Sequence, residues 1–219
     1  MSKYFDKAEI YAWTPLIGFD KNVEDKGVEN FINRMGFTPH GLSVFMFNPD
    51  AINQHTGIDK LRVLPPDNCA YYANPYNEER RRQDWTNKDV KILVDNLRKN
   101  GVETYLGIMA VESNNKHHHE WISQHPEIRT HFRHSKWGLN VLKRFEDGTY
   151  YEDFFADKAC EALVDYGFDG LHVTDGFCPN YGTRAEGDFS YDMLDQFVKY
   201  SGVEIPEEIL NLKDEALKA

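Results

Sequence analysis

Residues 167–177 read Gly-Phe-Asp-Gly-Leu-His-Val-Thr-Asp-Gly-Phe, and this segment decides the fold class. The apolar run over 168–174 predicts a β-strand, and the Asp175-Gly176 pair predicts a turn where it ends. In (β/α) barrels, catalytic side chains follow the C-terminal ends of the strands. Asp175 is therefore the first candidate for a catalytic carboxylate. The ordinary alternative is that Asp-Gly forms only the turn.

The same succession of strand, loop and amphipathic helix occurs three more times along the chain. Strands are predicted over 10–13, 42–47 and 102–109, and helices over 23–35, 90–97, 154–166 and 191–200. A short helix is expected around Trp121, and a last helix over about 206–217. The residues Thr86-Asn87-Lys88-Asp89 predict a capping box. Strands that alternate with helices indicate parallel strands joined by right-handed crossovers.

Four βα units predict a single α/β domain over 1–219, of the (β/α) barrel type and equal to half or part of a TIM barrel, with a C-terminal helix over 202–219. Long loops are predicted after the second and third strands, where barrel enzymes build their sites. A partial barrel leaves two strand edges unpaired and its inner face uncovered. A second copy, another protein, the C-terminal helix or a missing C-terminal half would close it. An open α/β sheet is the alternative architecture.

Two short motifs resemble those of bacterial glycosyl-hydrolase-like (β/α)8 barrels. Residues 169–179 look like the Asp-Gly-Ile/Leu-His-Phe/Leu-Asp-Asp-aromatic strand end of that family. Residues 121–127, Trp-Ile-Ser-Gln-His-Pro-Glu, are similar to its Trp…His-Pro-Glu loop. The resemblance implies a sugar-active fold of which this chain is the N-terminal half. Where the family pattern has two consecutive acids, this chain has Thr174 followed by Asp175.

Glycoside hydrolysis uses two carboxyl groups that flank the scissile bond. Asp175 is the candidate nucleophile or base, and Glu112, just after the third strand, is the candidate second carboxyl, with Glu186 as a further option. The predicted function is a glycoside-hydrolase-like protein that acts on or binds a carbohydrate. The alternative is a non-catalytic carbohydrate-binding or assembly module. Sugar rings stack on aromatic side chains and sugar hydroxyls need polar partners, so the predicted substrate-binding residues are Trp13, Asn48, Trp85, Trp137, His172, Phe177, Tyr181 and Arg184.

The composition excludes other classes of function. The chain has 25 Lys and Arg against 36 Asp and Glu, a net charge of −11, which argues against nucleic-acid binding. No apolar run approaches the length of about 18 residues that spans a membrane. The start of the chain is charged, without the apolar stretch of a signal peptide, and three widely spaced cysteines suit a reducing compartment. A cytoplasmic protein is expected, as a homo-oligomer or with a missing C-terminal half.

The motifs that hold organic cofactors or metals are missing from the sequence. It has no Gly-x-Gly-x-x-Gly and no phosphate-binding Gly-Lys-Ser/Thr loop, so no cofactor is predicted. Three consecutive histidines, 117–119, cannot all ligate one ion from a helix, because neighbouring helical residues point about 100° apart. His131 and His134 would share a helix face if that segment were helical. A solvated histidine-rich loop without a metal is the preferred interpretation.

Overall fold

The computed structural model describes residues 8–46, 49–65, 83–108, 120–132, 135–173 and 188–206. The strands in these ranges are β1 (Tyr11–Pro15), β2 (Gly41–Met46), β3 (Glu103–Ile108), β4 (Arg129–Phe132), β5 (Ser135–Leu139) and β6 (Gly170–Val173). The α-helices are α1 (Val28–Met35), α2 (Asp50–Asn53), α3 (Asn87–Lys99), α4 (Glu120–Gln124), α5 (Tyr151–Tyr166) and α6 (Tyr191–Ser201). The predicted last helix lies almost wholly outside the described residues.

The main sheet has four parallel strands in the order β1-β2-β3-β6, the order in which they occur along the chain. The prediction of an α/β fold with four parallel strands is confirmed. Because successive strands are neighbours and the order never reverses, right-handed crossovers place every connecting helix on the same face of the sheet. The C-terminal ends of all four strands lie at one edge.

One face of this sheet carries aliphatic side chains that pack against the helices. Side chains alternate along a strand, and on this face they are buried in a common core with residues of α1, α3 and α5. We call it the helix-covered face. Its buried aliphatic members on β2 and β3 are Leu42, Val44, Met46, Leu106 and Ile108.

Helix α3, which covers this face, begins with the predicted capping box. The hydroxyl of Thr86 accepts a hydrogen bond from the backbone N–H of Asp89, and the Asp89 carboxylate accepts one from the Thr86 N–H at 3.0 Å. Lys26 adds an ion pair to the same carboxylate at 2.9 Å. Burial opposes ionisation of Asp89, but the hydrogen bonds from Thr86 and the contact with Lys26 outweigh it and lower its pKa.

Helix α1 begins five residues later than the sequence predicts. Turns occupy the preceding residues, and Gly27 has a φ of +81° in the left-handed region that favours glycine. The Asp25 carboxylate accepts hydrogen bonds from the N–H groups of Gly27 and Glu29 at 2.9 and 2.8 Å. Asp25 therefore accepts hydrogen bonds from backbone N–H groups at the start of α1 that have no partner within the helix. The helix begins at the residues where these N–H groups are capped.

The antiparallel pair β4–β5 lies between β3 and α5 and was not predicted. His131 lies in β4, so the helical spacing considered for His131 and His134 is wrong for His131, while His134 lies outside the described residues. Histidines 117–119 also lie outside them. Across the described ranges, no helix is long and apolar enough to cross a membrane.

Candidate functional site

The face of the sheet opposite the helices is lined by aromatic and small polar side chains. The strand register places Trp13, Ser43 and Tyr105 side by side, and the next row on the same face runs from Phe45 through Gly107 to His172. Phe45 is buried but does not belong to the core shared with the helices. We call this the aromatic face, defined by Tyr11, Trp13, Ser43, Phe45, Tyr105 and His172.

Three aromatic rings form a continuous contact across the aromatic face. The ring centroids of Trp13 and Phe45 are 5.2 Å apart with planes at 60°, and those of Phe45 and His172 are 5.7 Å apart at 78°. Such edge-to-face contacts are favourable for aromatic pairs. Phe45 is buried between its neighbours, whereas Trp13 is 57% exposed. The exposed indole is therefore an apolar surface, and the ring of Phe45 lies between it and the polar ring of His172.

Glycine at position 107 allows this packing. A Cβ added to Gly107 would lie 2.9 Å from the ring of Phe45, closer than real Cβ contacts allow. The ring therefore lies directly over the backbone of β3. Gly107 also stands between Phe45 and His172 in the register, so β3 places no side chain between those two rings.

The polar centre of the aromatic face is the pair Ser43 and His172. The Ser43 Oγ and His172 Nδ1 atoms are 2.6 Å apart, a hydrogen bond between residues 129 positions apart in the chain. Ser43 is buried, while the His172 ring is exposed. The imidazole is thus held by Ser43 at Nδ1 and is exposed to solvent.

At the opposite end of the strands, Glu103 binds two tyrosines. Its carboxylate accepts hydrogen bonds from the phenols of Tyr11 and Tyr105 at 3.3 and 3.0 Å. The negative charge of Glu103 raises the pKa of Tyr11, and the hydrogen bond to Glu103 raises the pKa of Tyr105. Both phenols therefore remain protonated donors at neutral pH.

The sequence-predicted site residues separate into four groups. Trp13 and His172 lie on the aromatic face. Trp85 is in the hydrophobic core with no exposed surface, so its ring has no face free to stack on a ligand, contrary to the sequence-based expectation. Trp137 lies in β5, and only its backbone is described. Outside the described residues lie Asn48, Glu112, Asp175, Phe177, Tyr181 and Arg184, as well as Glu186.

The sequence-based search missed Ser43, Phe45, Tyr105 and Gly107. A usable signal was present in β2, where Ser43 and Phe45 alternate with aliphatic residues at the period of a strand with two different faces. That strand is buried throughout, and its apolar character concealed the alternation.

The Trp…His-Pro-Glu motif has a structural setting away from the aromatic face. Trp121 stacks on Phe154 with centroids 5.6 Å apart and planes at 12°, and its ring lies 4.2 Å from that of His125. The Nδ1 atom of His125 is 3.1 Å from the Glu127 carboxylate. This cluster fixes the segment after β3 against the first turn of α5.

Asp188 connects the segment that follows β6 to the antiparallel pair β4–β5 and the residues after it. Its carboxylate accepts hydrogen bonds from the backbone N–H of His131 at 3.1 Å and from the side chain of Asn140 at 3.3 Å, and Lys143 Nζ lies 3.9 Å away. Arg144 then forms ion pairs with Asp192 and Asp195 of α6. The segment after β3 and the segment after β6 are therefore held together by these hydrogen bonds and ion pairs.

Within the described ranges, no group of three or more His, Cys, Asp or Glu residues is placed to hold a metal ion. No protein-family model matches the chain, and a search of curated proteins finds no match.

Proposed function

We propose that this protein is a glycoside-hydrolase-like protein that acts on or binds a carbohydrate through the aromatic face of its sheet. The observation that carries the proposal is the exposed indole of Trp13 beside the Ser43–His172 pair. A sugar ring presents C–H groups that stack on an aromatic face and hydroxyls that need fixed polar partners. The aromatic face provides both kinds of contact in two adjacent rows of side chains, Trp13 in one and His172 in the other.

The proposed architecture is a partial (β/α) barrel, with the aromatic face as part of its inner surface. Two observations support it: the sequential strand order and the position of the helices on one face. Asp175 follows the end of β6 by two residues in the sequence, and Glu112 follows β3 by four. These two acids are the proposed catalytic carboxyl groups, with Asp175 as nucleophile or base.

The partial barrel is proposed to be completed by a second copy of the chain or by further βα units of a longer protein. Helix α6 supports this proposal because it has no buried residue and exposes Phe197 and Tyr200. In a complete barrel, the helix after a strand packs against that strand and the next one. A neighbouring unit would cover this apolar surface and pair with the edge of β6 that none of the described strands occupies.

A non-catalytic carbohydrate-binding or assembly module is the second candidate, and Thr174 favours it. Thr174 stands where the family pattern has the first of two acids. Loss of that acid would leave the binding surface intact and remove one catalytic group.

Activity on a panel of aryl glycosides, measured for the wild type and Asp175→Asn, separates the two candidates. An enzyme is expected to turn over at least one substrate and to lose that activity with Asp175→Asn. Light scattering on the same samples gives the solution mass, and a dimer is expected if two copies complete the barrel. Absence of turnover across the panel would contradict the enzyme and leave the binding module.

Calorimetric titration with methyl glycosides and oligosaccharides tests the proposed surface. Trp13→Ala is expected to weaken binding about tenfold or more, since about 1.4 kcal/mol of lost stacking corresponds to a factor of ten. Phe37→Ala is the matched control, because this aromatic residue is 40% exposed between α1 and β2 and lies outside both the aromatic face and the exposed surface of α6. Equal binding by both variants would contradict the proposed surface.

A further inference from the structure

Ser43 and His172 interact across an intervening strand. Neighbouring strands lie about 4.8 Å apart, so β2 and β6, with β3 between them, are separated by roughly 10 Å. The Ser43 Oγ and His172 Nδ1 atoms are nevertheless 2.6 Å apart. The imidazole reaches over β3, and it can do so because Gly107, its neighbour in the register, has no side chain.

The surroundings of the Ser43 hydroxyl indicate the direction of this hydrogen bond. The contact itself is compatible with a donor on either side, because a hydroxyl both donates and accepts and each imidazole nitrogen does one or the other according to the tautomer. Ser43 is buried, and within the described residues its hydroxyl has no second hydrogen-bond partner. A buried hydroxyl proton without an acceptor is costly. The Ser43 hydroxyl therefore donates, and Nδ1 accepts.

From this direction follows the tautomer of the ring. A neutral imidazole has one N–H donor and one acceptor nitrogen. When Nδ1 accepts from Ser43, the ring proton resides on Nε2. Among the described residues, Nε2 has no hydrogen-bond partner, and the ring is exposed on the aromatic face.

We infer that Ser43 is a positioning residue that fixes His172 as a hydrogen-bond donor through Nε2–H. Phe45 completes the arrangement, because its edge-to-face contact at 5.7 Å holds the plane of the imidazole while Ser43 holds its tautomer. The ligand atom recognised there is an acceptor oxygen. With the proposed function, on which this ligand class rests, that atom is a hydroxyl or ring oxygen of a carbohydrate.

The test without ligand is long-range proton–nitrogen NMR on 15N-labelled protein at mildly alkaline pH, where imidazole rings are generally neutral. The His172 signals are assigned by their loss in His172→Gln. In the wild type, the Nε2 shift is expected to be that of a protonated nitrogen and the Nδ1 shift that of an unprotonated one. In Ser43→Ala the two shifts are expected to approach each other as the tautomers mix, and Ser43→Thr, which keeps a hydroxyl, is expected to restore the separation.

Thr14→Val is the matched control, since it removes a hydroxyl from β1 that donates to the Pro15 carbonyl and makes no contact with His172. It is expected to leave the His172 signals unchanged. A wild-type ring protonated on Nδ1, or a Ser43→Ala spectrum identical to that of the wild type, would overturn the inference.

Titration with methyl glycosides then tests the role of the donor in recognition. Ser43→Ala is expected to weaken binding roughly two- to tenfold, the loss of about one hydrogen bond, and Ser43→Thr to restore it. If no glycoside binds the wild type, the proposed function fails while the tautomer result still decides the role of Ser43. Glycoside binding that Ser43→Ala leaves unchanged would overturn the role of Ser43 in recognition and leave the proposed function standing.

Discussion

The two faces of the central sheet carry different kinds of side chain, although the same four strands form both. On the helix-covered face, aliphatic residues such as Leu106 pack into a core with α1, α3 and α5. On the aromatic face, Trp13 stays more than half exposed, and a polar pair, Ser43 and His172, lies between aromatic rings. Burial of aliphatic area stabilises the fold. An exposed indole contributes less to stability, and together with a fixed hydrogen-bonding group it suits a ligand. The two faces therefore differ in role: the helix-covered face stabilises the fold, and the aromatic face is proposed to bind a ligand.

The largest expected effect is a difference in stability between Leu106→Ala and Trp13→Ala. Leu106 is 1% exposed in the core, so its truncation is expected to lower the free energy of unfolding by about 2–5 kcal/mol. Trp13→Ala removes a half-exposed ring that contacts Phe45, and about 1 kcal/mol is expected. Urea denaturation followed by circular dichroism measures both. An equal cost for the two substitutions would mean that the aromatic face is a second core rather than a binding surface.

A smaller loss of stability is expected from Gly107→Ala. This substitution adds a Cβ atom to the backbone of β3 beneath the aromatic rings. The added Cβ meets the Phe45 ring at 2.9 Å, so the ring must move, at an expected cost of about 1–3 kcal/mol. The NMR signals of the His172 ring nitrogens are expected to shift as well, because the imidazole of His172 passes over β3 at Gly107. Gly170→Ala is the comparison, with its Cβ 3.1 Å from the half-buried ring of Tyr105, which has more room to yield. A Gly107→Ala variant with unchanged stability and unchanged His172 signals would contradict the packing described.

The smallest expected loss of stability comes from a substitution at Asp89, in the helix α3 that packs on the helix-covered face, and it depends on pH. The pKa of Asp89 is lowered in the folded protein, so its carboxylate stabilises the fold above the pKa of the unfolded state, and this contribution is lost as the pH falls through the folded pKa. Asp89→Asn is therefore expected to cost about 1 kcal/mol at neutral pH and almost nothing in strong acid. Thermal melts across this pH range measure the difference.

Asp95→Asn on the same helix provides the control. Asp95 is 44% exposed and pairs with Lys91 four residues earlier, so about 0.5 kcal/mol or less is expected. A loss for Asp89→Asn that persists unchanged in acid would contradict the capping role.

Local patterns in the sequence were sufficient for much of the fold. Four parallel strands, their succession with the helices and the Thr86–Asp89 capping box were predicted because each depends on residues within a few positions of one another. The β4–β5 pair was missed because its short strands are poor in β-branched residues and lack an Asn-Gly or Asp-Gly turn signal. The start of α1 was misplaced because the capping contacts of Asp25 override the apolar periodicity upstream.

The candidate site was less predictable, because it depends on contacts between distant segments. Trp13 and His172 were recognised as candidates from their places near strand ends, but the Ser43–His172 bond joins residues 129 positions apart. Trp85 shows the converse. Its position between a loop and α3 suggested an exposed ring, and tertiary packing buries it completely. Which aromatic residue faces solvent is decided by the register of the sheet and by helix packing, not by the local sequence.

The proposed carbohydrate-binding surface is tested through the indole N–H signals of the four tryptophans in a 15N-labelled sample, assigned by single Trp→Phe variants. The sample is titrated with methyl glycosides and short oligosaccharides. The proposal predicts a saturable shift of the Trp13 indole signal, together with a change at His172, while the buried Trp85 signal stays in place. Saturable shifts confined to other tryptophans, or no shift with any carbohydrate of the panel, would contradict the assignment of the aromatic face as a carbohydrate-binding surface.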